Sequence, residues 1–182
     1  MNRPEYTTLM ALRREYDNEV CPVARTLEVI GERWTLLILR DAFYGVVRFT
    51  DFRTHLELPP AVLTERLKLL VEHEIMTTSV GSSGRDEYRL TLKGEQIWQV
   101  VWSMMNWGNE HYVEPALRRP IVHHGCGGRL TPLGNCGRCG LVPGPRDLEV
   151  HPRRSKAMDR DDRISKLLKK PHRMLEPFAD AA

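Results

Sequence analysis

The stretch LPPAVLTERLKLLVEHEI, Leu58 to Ile75, has one leucine-rich face and one polar face. At about 100° per residue, Leu67, Leu70 and Val71 lie within about 80° of Leu63, which predicts an amphipathic helix with one buried side. The opposite side carries Ala61, Thr64, Glu65 and Lys68. This polar side is either a simple solvated face or a binding surface, and the neighbouring segments decide between the two.

The segments before this helix predict more helices packed around a short strand. A helix follows from Val23, and Trp34 to Leu39 is apolar almost all round, so we expect it to form the buried centre and to end at Arg40 and Asp41. Gly45 to Val47 is long enough only for an edge strand. Apolar residues at helical spacing then predict a short helix over Arg48 to His55.

After Ile75 the apolar period changes from that of a helix to that of strands. Met76 to Val80 and Glu87 to Leu90 are predicted strands, and the connecting sequence GSSGRD predicts a projecting loop. A long helix is predicted from Thr91 to Val113. This order of elements is that of a winged helix-turn-helix, so residues 21–114 are predicted to form a mainly helical α+β domain.

In a winged helix-turn-helix, the second helix of the pair is held by its apolar face and fits the DNA major groove with the other face. We therefore expect Thr64, Glu65 and Lys68 to reach base edges. Pro60 and Ala61 are small, so the first turn of the helix can approach the DNA closely. Two arginines and the loop are expected to contact the DNA backbone. The predicted DNA-binding residues are Arg48, Pro60, Ala61, Thr64, Glu65, Arg66, Lys68, Ser83 and Arg85.

The predicted last helix of this domain has two adjacent apolar stripes. The first consists of Ile97, Val101 and Met104, and the second of Trp98, Trp102 and Met105. One stripe can cover the core, so the other predicts a homodimer; a single wide core contact is the alternative. We expect residues 1–20, with a helix over Thr7 to Glu19, to assist. A twofold dimer separates its recognition helices by about 34 Å and predicts a palindromic operator.

The motifs in Cys21 to Trp107 resemble the HxlR-type winged helix-turn-helix transcriptional regulators of bacteria. The matching motifs, in order, are the Cys-Pro start, IGERWTLLILRD, RFTDF, VLTERLKLL, EYRLT-x-KG and a closing Trp-Gly. The resemblance implies a homodimer that binds double-stranded operator DNA and has no enzymatic activity. It also implies that Cys21 is a sensor of thiol-reactive compounds. The alternative is that Cys21 is simply a buried small apolar residue.

A second candidate site lies in HHGCGGRLTPLGNCGRCG, residues 123–140. His123, Cys126, Cys136 and Cys139 have the spacing of two short knuckles around one structural Zn²⁺, which predicts a zinc-ribbon-like extension over residues 121–150. His124 and His151 are alternative fourth ligands. A redox pair at Cys136 and Cys139, or a loop without metal, are the other interpretations.

Composition sets the remaining expectations. The chain has 182 residues, 41% of them hydrophobic, and no apolar run long enough for a membrane helix. The N-terminus lacks a signal-peptide pattern, so a cytoplasmic protein is expected. From Arg146 onward there are ten Lys and Arg against seven Asp and Glu, and residues 151–182 are predicted to be a largely disordered basic tail. A zinc-ribbon module whose winged helix docks on protein is the alternative to a DNA-binding regulator.

Overall fold

The computed structural model describes residues 20–81, 84–155 and 160–179. The predicted N-terminal helix over Thr7 to Glu19 and the predicted contact residue Ser83 lie outside these residues. The described chain is mixed α+β and rich in helix, which confirms the predicted fold class. None of its helices is both long enough and apolar enough to cross a membrane.

The elements fall into an N-terminal helical part with a two-stranded wing and a C-terminal part with a small sheet. The helices are α1 (Pro22–Ile30), α2 (Arg33–Phe43), α3 (Phe49–Leu56), α4 (Pro60–Glu72), α5 (Leu92–Glu95), α6 (Trp98–His111) and α7 (Arg163–Leu167). The strands are β1 (Met76–Val80), β2 (Asp86–Leu90), β3 (Ile121–His123), β4 (Leu148–Val150) and β5 (His172–Arg173). Single 3₁₀ turns cover Pro115–Leu117 and Pro145–Asp147.

The turn between α3 and α4 is short and tightly specified. Glu57 ends α3 in the left-handed conformation, with φ of 55°, and the next residue, Leu58, is buried. Pro60 occupies the first turn of α4, where its missing N–H leaves no helical hydrogen bond unmade. This turn sets the angle between the two helices, so the sequence LPP fixes how α4 is presented.

The wing is the antiparallel pair β1 and β2, which runs in register from Met76 opposite Leu90 to Val80 opposite Asp86. The segment before α3 joins it, because the N–H of Tyr88 donates to the carbonyl of Val47 at 2.7 Å and Arg48 bridges to Glu87. The predicted edge strand over Gly45 to Val47 is not formed as a strand; a single bridge at the next residue, Arg48, lies beside β2 instead. It ties the start of α3 to the wing.

The structure corrects two predicted helix boundaries. α2 continues through Arg40 and Asp41 to Phe43, because the buried carboxylate of Asp41 is paired within the helix and by α3. The long helix predicted from Thr91 to Val113 is divided into α5 and α6 at Gln96 and Ile97. Thr91 caps the short helix by accepting from the N–H of Gly94 at 3.1 Å.

The C-terminal part completes the hydrophobic core. Strands β3, β4 and β5 form an antiparallel sheet in that order. The prediction of a largely disordered tail is wrong for residues 160–179, which form α7 and β5. The reason is that a few well-spaced apolar residues dock on the helices. The core residues that follow α6 are Ile121, Leu148, Val150, Ile164, Leu168, Met174 and Phe178.

The close approach of this C-terminal segment depends on Gly45. A Cβ at Gly45 would lie 2.0 Å from the carbonyl oxygen of Glu176, and the residue has φ of +94°. The N–H of Leu175 donates to the carbonyl of Phe43 at 2.9 Å. Glycine adopts this backbone conformation readily and has no side chain to clash with Glu176. The turn after α2 can therefore contact the C-terminal residues directly.

Candidate nucleic-acid interface and metal centre

The two faces of α4 are separated as the leucine spacing predicts. Leu63, Leu67 and Leu70 are buried and pack into the main core beside α2 and α3. Burying a leucine side chain stabilises the fold by about 1.5–3 kcal/mol relative to exposure, so these three residues hold the helix firmly. The opposite face of α4 consequently has a fixed position on the surface.

That opposite face is open to solvent over its first three turns. Its exposed residues are Pro60, Ala61, Thr64, Glu65 and Lys68. The Lys68 side chain is 74% exposed, and its Nζ lies 3.6 Å from a carboxylate oxygen of Glu72 one turn later. An exposed pair of this kind is weak, about 0.3–0.5 kcal/mol, so the ammonium group is available to another partner.

The other predicted contact residues occupy different settings. Arg66 is mostly covered: its guanidinium group contacts Glu65 at 2.7 Å and lies 4.0 Å from Glu32 at the start of α2. Arg48 is half-buried at the N-cap of α3. Arg85 is exposed at the base of the wing loop. α4 contacts both α3 and β1, and the start of α3 is bridged to β2 through Arg48 and Glu87.

A buried charged network supports this surface, and the sequence did not reveal it. Asp41 is fully buried in α2 and accepts from Arg40 at 2.6 Å, while its other oxygen lies 2.6 Å from Nδ1 of His55 in α3. Burial alone would raise the pKa of Asp41, but the Arg40 charge and the His55 hydrogen bond keep it below its ordinary value. The one signal in the sequence is an aspartate within a helix that is otherwise largely apolar.

The predicted metal ligands come together at one point. The ligand atoms of His123, Cys126, Cys136 and Cys139 all lie within 4.8 Å of one another. Nδ1 of His123 is 3.4 Å from the sulfur of Cys126 and 3.3 Å from that of Cys139. Tetrahedral Zn²⁺ with Zn–S bonds of about 2.3 Å requires ligand atoms about 3.5–4 Å apart, so the donor set and spacing fit this ion.

The backbone around the cluster brings the four ligand residues close together. Isolated bridges from Val122 to Arg129 and from Leu130 to Cys136 fold the two knuckles over each other. A Cβ at Gly128 would lie 2.4 Å from the sulfur of Cys136, so a glycine is needed beside the site. The N–H groups of Cys139 and Arg138 lower the pKa of the Cys136 thiol to about 6, which favours the thiolate that binds metal.

The alternative histidine ligands point elsewhere. Nδ1 of His124 lies 2.7 Å from one carboxylate oxygen of Glu149, and Nε2 of His151 lies 3.2 Å from the other. Successive residues at a strand end face opposite sides. Of the three candidates for the fourth ligand, His123 is the one that the structure places at the cysteines.

Exposed apolar side chains are grouped on α6 and around α1 in the described chain. On α6 they are Val100, Met104 and Trp107, and around α1 they are Val20, Val23 and Leu27. The core side of α6 is formed by Trp98, Val101 and Trp102. The division therefore differs from the two predicted stripes, because Val101 joins the tryptophans in the core and Met104 remains outside it.

Cys21, the predicted sensor, is exposed at the N-cap of α1. Its side chain makes no capping hydrogen bond, and its carbonyl accepts from the N–H of Arg25 at 3.1 Å. The guanidinium group of Arg25 contacts Glu28 at 2.9 Å. The thiol is thus accessible from solvent, which does not support the alternative of a buried apolar cysteine.

Comparison with known proteins agrees with this architecture. The model of the HxlR-like helix-turn-helix family matches residues 29–116. An uncharacterized HTH-type transcriptional regulator of Mycobacterium tuberculosis is 43% identical over 134 residues, which cover 71% of this chain and 84% of the relative. The chain belongs to the HxlR-like helix-turn-helix family. It is therefore a transcriptional regulator with a helix-turn-helix domain.

Two further similar proteins extend the comparison. The uncharacterized HTH-type transcriptional regulator YdeP of Bacillus subtilis is 31% identical over 98 residues, which cover 52% of this chain and 77% of that protein. Among solved structures, that of PA1607, described as a candidate transcription factor, superimposes with a TM-score of 0.58 at 37% identity. The superposition covers 66% of this chain and 87% of PA1607.

Proposed function

We propose that this HxlR-like protein is a repressor that binds a palindromic operator as a homodimer in the bacterial cytoplasm. The observation that carries the proposal is the exposed face of α4, held by buried leucines and flanked by the wing. The proposed DNA contacts are Arg48, Pro60, Ala61, Thr64, Glu65, Arg66, Lys68 and Arg85, together with Ser83 outside the described residues.

The charges on this face favour specific contacts from the first turns of α4. Pro60 and Ala61 are small enough to let the helix approach the groove closely. Thr64 and Lys68 follow at one-turn spacing and can donate hydrogen bonds to base edges. Glu72 lies near the end of the helix, so its carboxylate is kept at a distance from the phosphates when the first turns enter the groove.

The exposed apolar residues support the homodimer. Val100, Met104 and Trp107 lie on one side of α6, and the Met104 and Trp107 side chains are 51% and 60% exposed. Large apolar side chains grouped on one helix face mark an interaction surface. A twofold pairing through α6, with help from α1, would present two copies of α4 to one duplex at about one helical turn.

The metal cluster is proposed to hold one structural Zn²⁺. Its Cys₃His donor set is typical of structural zinc, and four protein ligands leave no open position for catalysis. When bound, the ion would crosslink the end of β3 to the chain before β4. Cys21 is proposed as a thiol sensor because its sulfur is exposed at the start of α1, beside the proposed dimer surface.

The direct test is an electrophoretic shift with duplex DNA from around the protein's own gene. Lys68→Ala should weaken operator binding at least tenfold, because one exposed donor in the groove is lost, while the melting temperature stays within about 2 °C. Lys166→Ala is the matched control, since it also removes an exposed lysine that pairs with a carboxylate. Cys21→Ser should bind the operator but lose the response to thiol-reactive compounds.

The salt dependence of the same assay separates DNA binding from protein docking. A regulator that neutralises phosphates should lose affinity steeply as salt rises. The proposal fails if the wild-type protein shows no saturable binding to any tested duplex, or if Lys68→Ala and Lys166→Ala bind equally well. A winged helix that docks on protein instead of DNA would show no saturable binding to any duplex.

A further inference from the structure

A cavity of about 340 Å³ lies where α2, α3 and α6 meet the C-terminal part of the chain. Met105, Leu117 and Leu168 provide apolar wall, and Tyr44 and Ser165 provide hydroxyl groups. The volume is at the lower end of the range of about 300–1,000 Å³ for small-molecule sites. The cavity is therefore large enough for a small ligand and has the mixed lining that such sites have.

The charge of this lining is one-sided. Five arginines contribute to it, and none of its described residues is an aspartate or a glutamate. The arginines are Arg40, Arg118, Arg119, Arg153 and Arg160. Two of them are paired with carboxylates that do not line the cavity, since Arg40 pairs with Asp41, and Arg160 with Glu57.

Arg118 and Arg153 have no such carboxylate partner among the described residues. The Nε of Arg118 donates to the carbonyl of Val113 at 2.9 Å, which is a neutral acceptor. The Nε of Arg153 is buried and has no hydrogen-bond partner among the described residues. A buried N–H of a cation without an acceptor is costly, and an anionic ligand would remove that cost.

Tyr44 shows how closely the guanidinium groups surround the cavity. Burial raises the pKa of its hydroxyl, and the charges of Arg40, Arg119 and Arg153 act in the opposite direction. All three arginines line the cavity together with Tyr44, and the guanidinium carbon of Arg40 lies 6.0 Å from the centre of the Tyr44 ring. Guanidinium groups bind carboxylate and phosphate oxygens in pairs of parallel hydrogen bonds, so the cluster has the chemistry of an oxyanion site.

We propose that this cavity binds a small organic anion, with its carboxylate or phosphate at Arg153 and Arg118 and its apolar part against Met105 and Leu117. Anion binding itself does not depend on the proposed function. Its regulatory consequence does, because the walls on α2 and α3 belong to the helices that position α4. A ligand there would alter operator affinity without touching the DNA-binding face.

Isothermal titration of the full-length protein with benzoate, inorganic phosphate and the neutral isostere benzamide tests the proposal without DNA. Saturable binding of benzoate, of phosphate or of both, with none of benzamide, is expected, and the two anions distinguish a carboxylate from a phosphate ligand. Arg153→Met should weaken anion binding at least tenfold and raise the melting temperature of the ligand-free protein. Arg154→Met, an exposed neighbour outside this cavity, is the control.

If Arg153→Met does not fold, Arg118→Met provides the same comparison, because that guanidinium donates to a backbone carbonyl rather than to a carboxylate. The proposal is overturned if neither anion binds, if benzamide binds equally well, or if Arg154→Met weakens binding as much as Arg153→Met. A protein that binds anions but no operator would refute the proposed function and leave the cavity's assignment standing.

Discussion

Removing the metal should open the knuckles around the His123 cluster and leave the helical domain folded. Between residues 124 and 141, Cys136 is the one fully buried hydrophobic side chain, and Leu130 packs partly buried against the core. Leu133 and Leu141 are 89% and 64% exposed. Apolar burial therefore contributes little to this segment, whereas Ile121 and Leu148 on the flanking strands are anchored in the core independently of the metal.

The size of the effect follows from linkage between metal binding and local folding. At a free zinc concentration about 1,000 times the dissociation constant, the ion stabilises the closed segment by about 4 kcal/mol. Its removal should raise the open population about 1,000-fold. Trypsin should then cut after Arg129 and Arg138 at a correspondingly higher rate, because the open chain can enter the protease active site.

Limited proteolysis with and without a chelator measures this change. The helical circular dichroism at 25 °C should be retained, while the fluorescence of Trp102 should change, since its Nε1 donates to the carbonyl of Thr131 at 3.2 Å. Cys139→Ser should behave as the chelated protein, and Cys21→Ser, outside the cluster, should behave as wild type. The reasoning is refuted if chelation abolishes the helical signal, or if cleavage after Arg138 is unchanged by chelator.

Two further predictions concern the core and the dimer. Asp41→Asn should lower the free energy of unfolding by about 3–5 kcal/mol at pH 7, because it removes the charged partner of Arg40 and His55 in a buried network. The pKa of Asp41 is lowered in the folded protein, so its contribution to stability is present above the unfolded pKa of about 3.9 and is lost as pH falls through the folded pKa. Urea unfolding at pH 3.5 should therefore show a smaller difference in unfolding free energy between wild type and Asp41→Asn. An equal difference at both pH values would contradict the charge explanation. If the proposed homodimer forms through α6, Met104→Glu should shift it to monomer in light scattering, whereas Leu167→Glu, a similar change on α7, should not. Equal behaviour of the two variants would contradict an interface on α6.

The elements that local periodicity specifies were predictable from the sequence. The leucines of α4 repeat at helical spacing and are buried, and the alternating strands on either side of the glycine-rich loop form the wing. In each case one element carries its own pattern of apolar and polar residues. The cysteine spacing predicted the cluster in the same way, since short knuckles need few residues to close.

Features that depend on distant contacts were not predictable. Nothing near Asp41 in the sequence indicates that His55 satisfies its carboxylate. The fourth ligand depended on which of three histidines the end of β3 turns toward the cysteines. The charged composition after residue 150 suggested disorder, yet Arg163 forms an ion pair with Asp51, 112 residues earlier.

The docking of the C-terminal residues against Gly45 and α3 makes them part of the regulator rather than an appendage to it. Truncation after residue 116 would remove Leu148, Ile164 and Met174 from the hydrophobic core and expose the apolar residues that they cover. We therefore expect the stretch recognised by the family model to be unstable when produced alone. Proteolysis near the C-terminus would then act as an irreversible off-switch for DNA binding, because the helix pair would lose its backing.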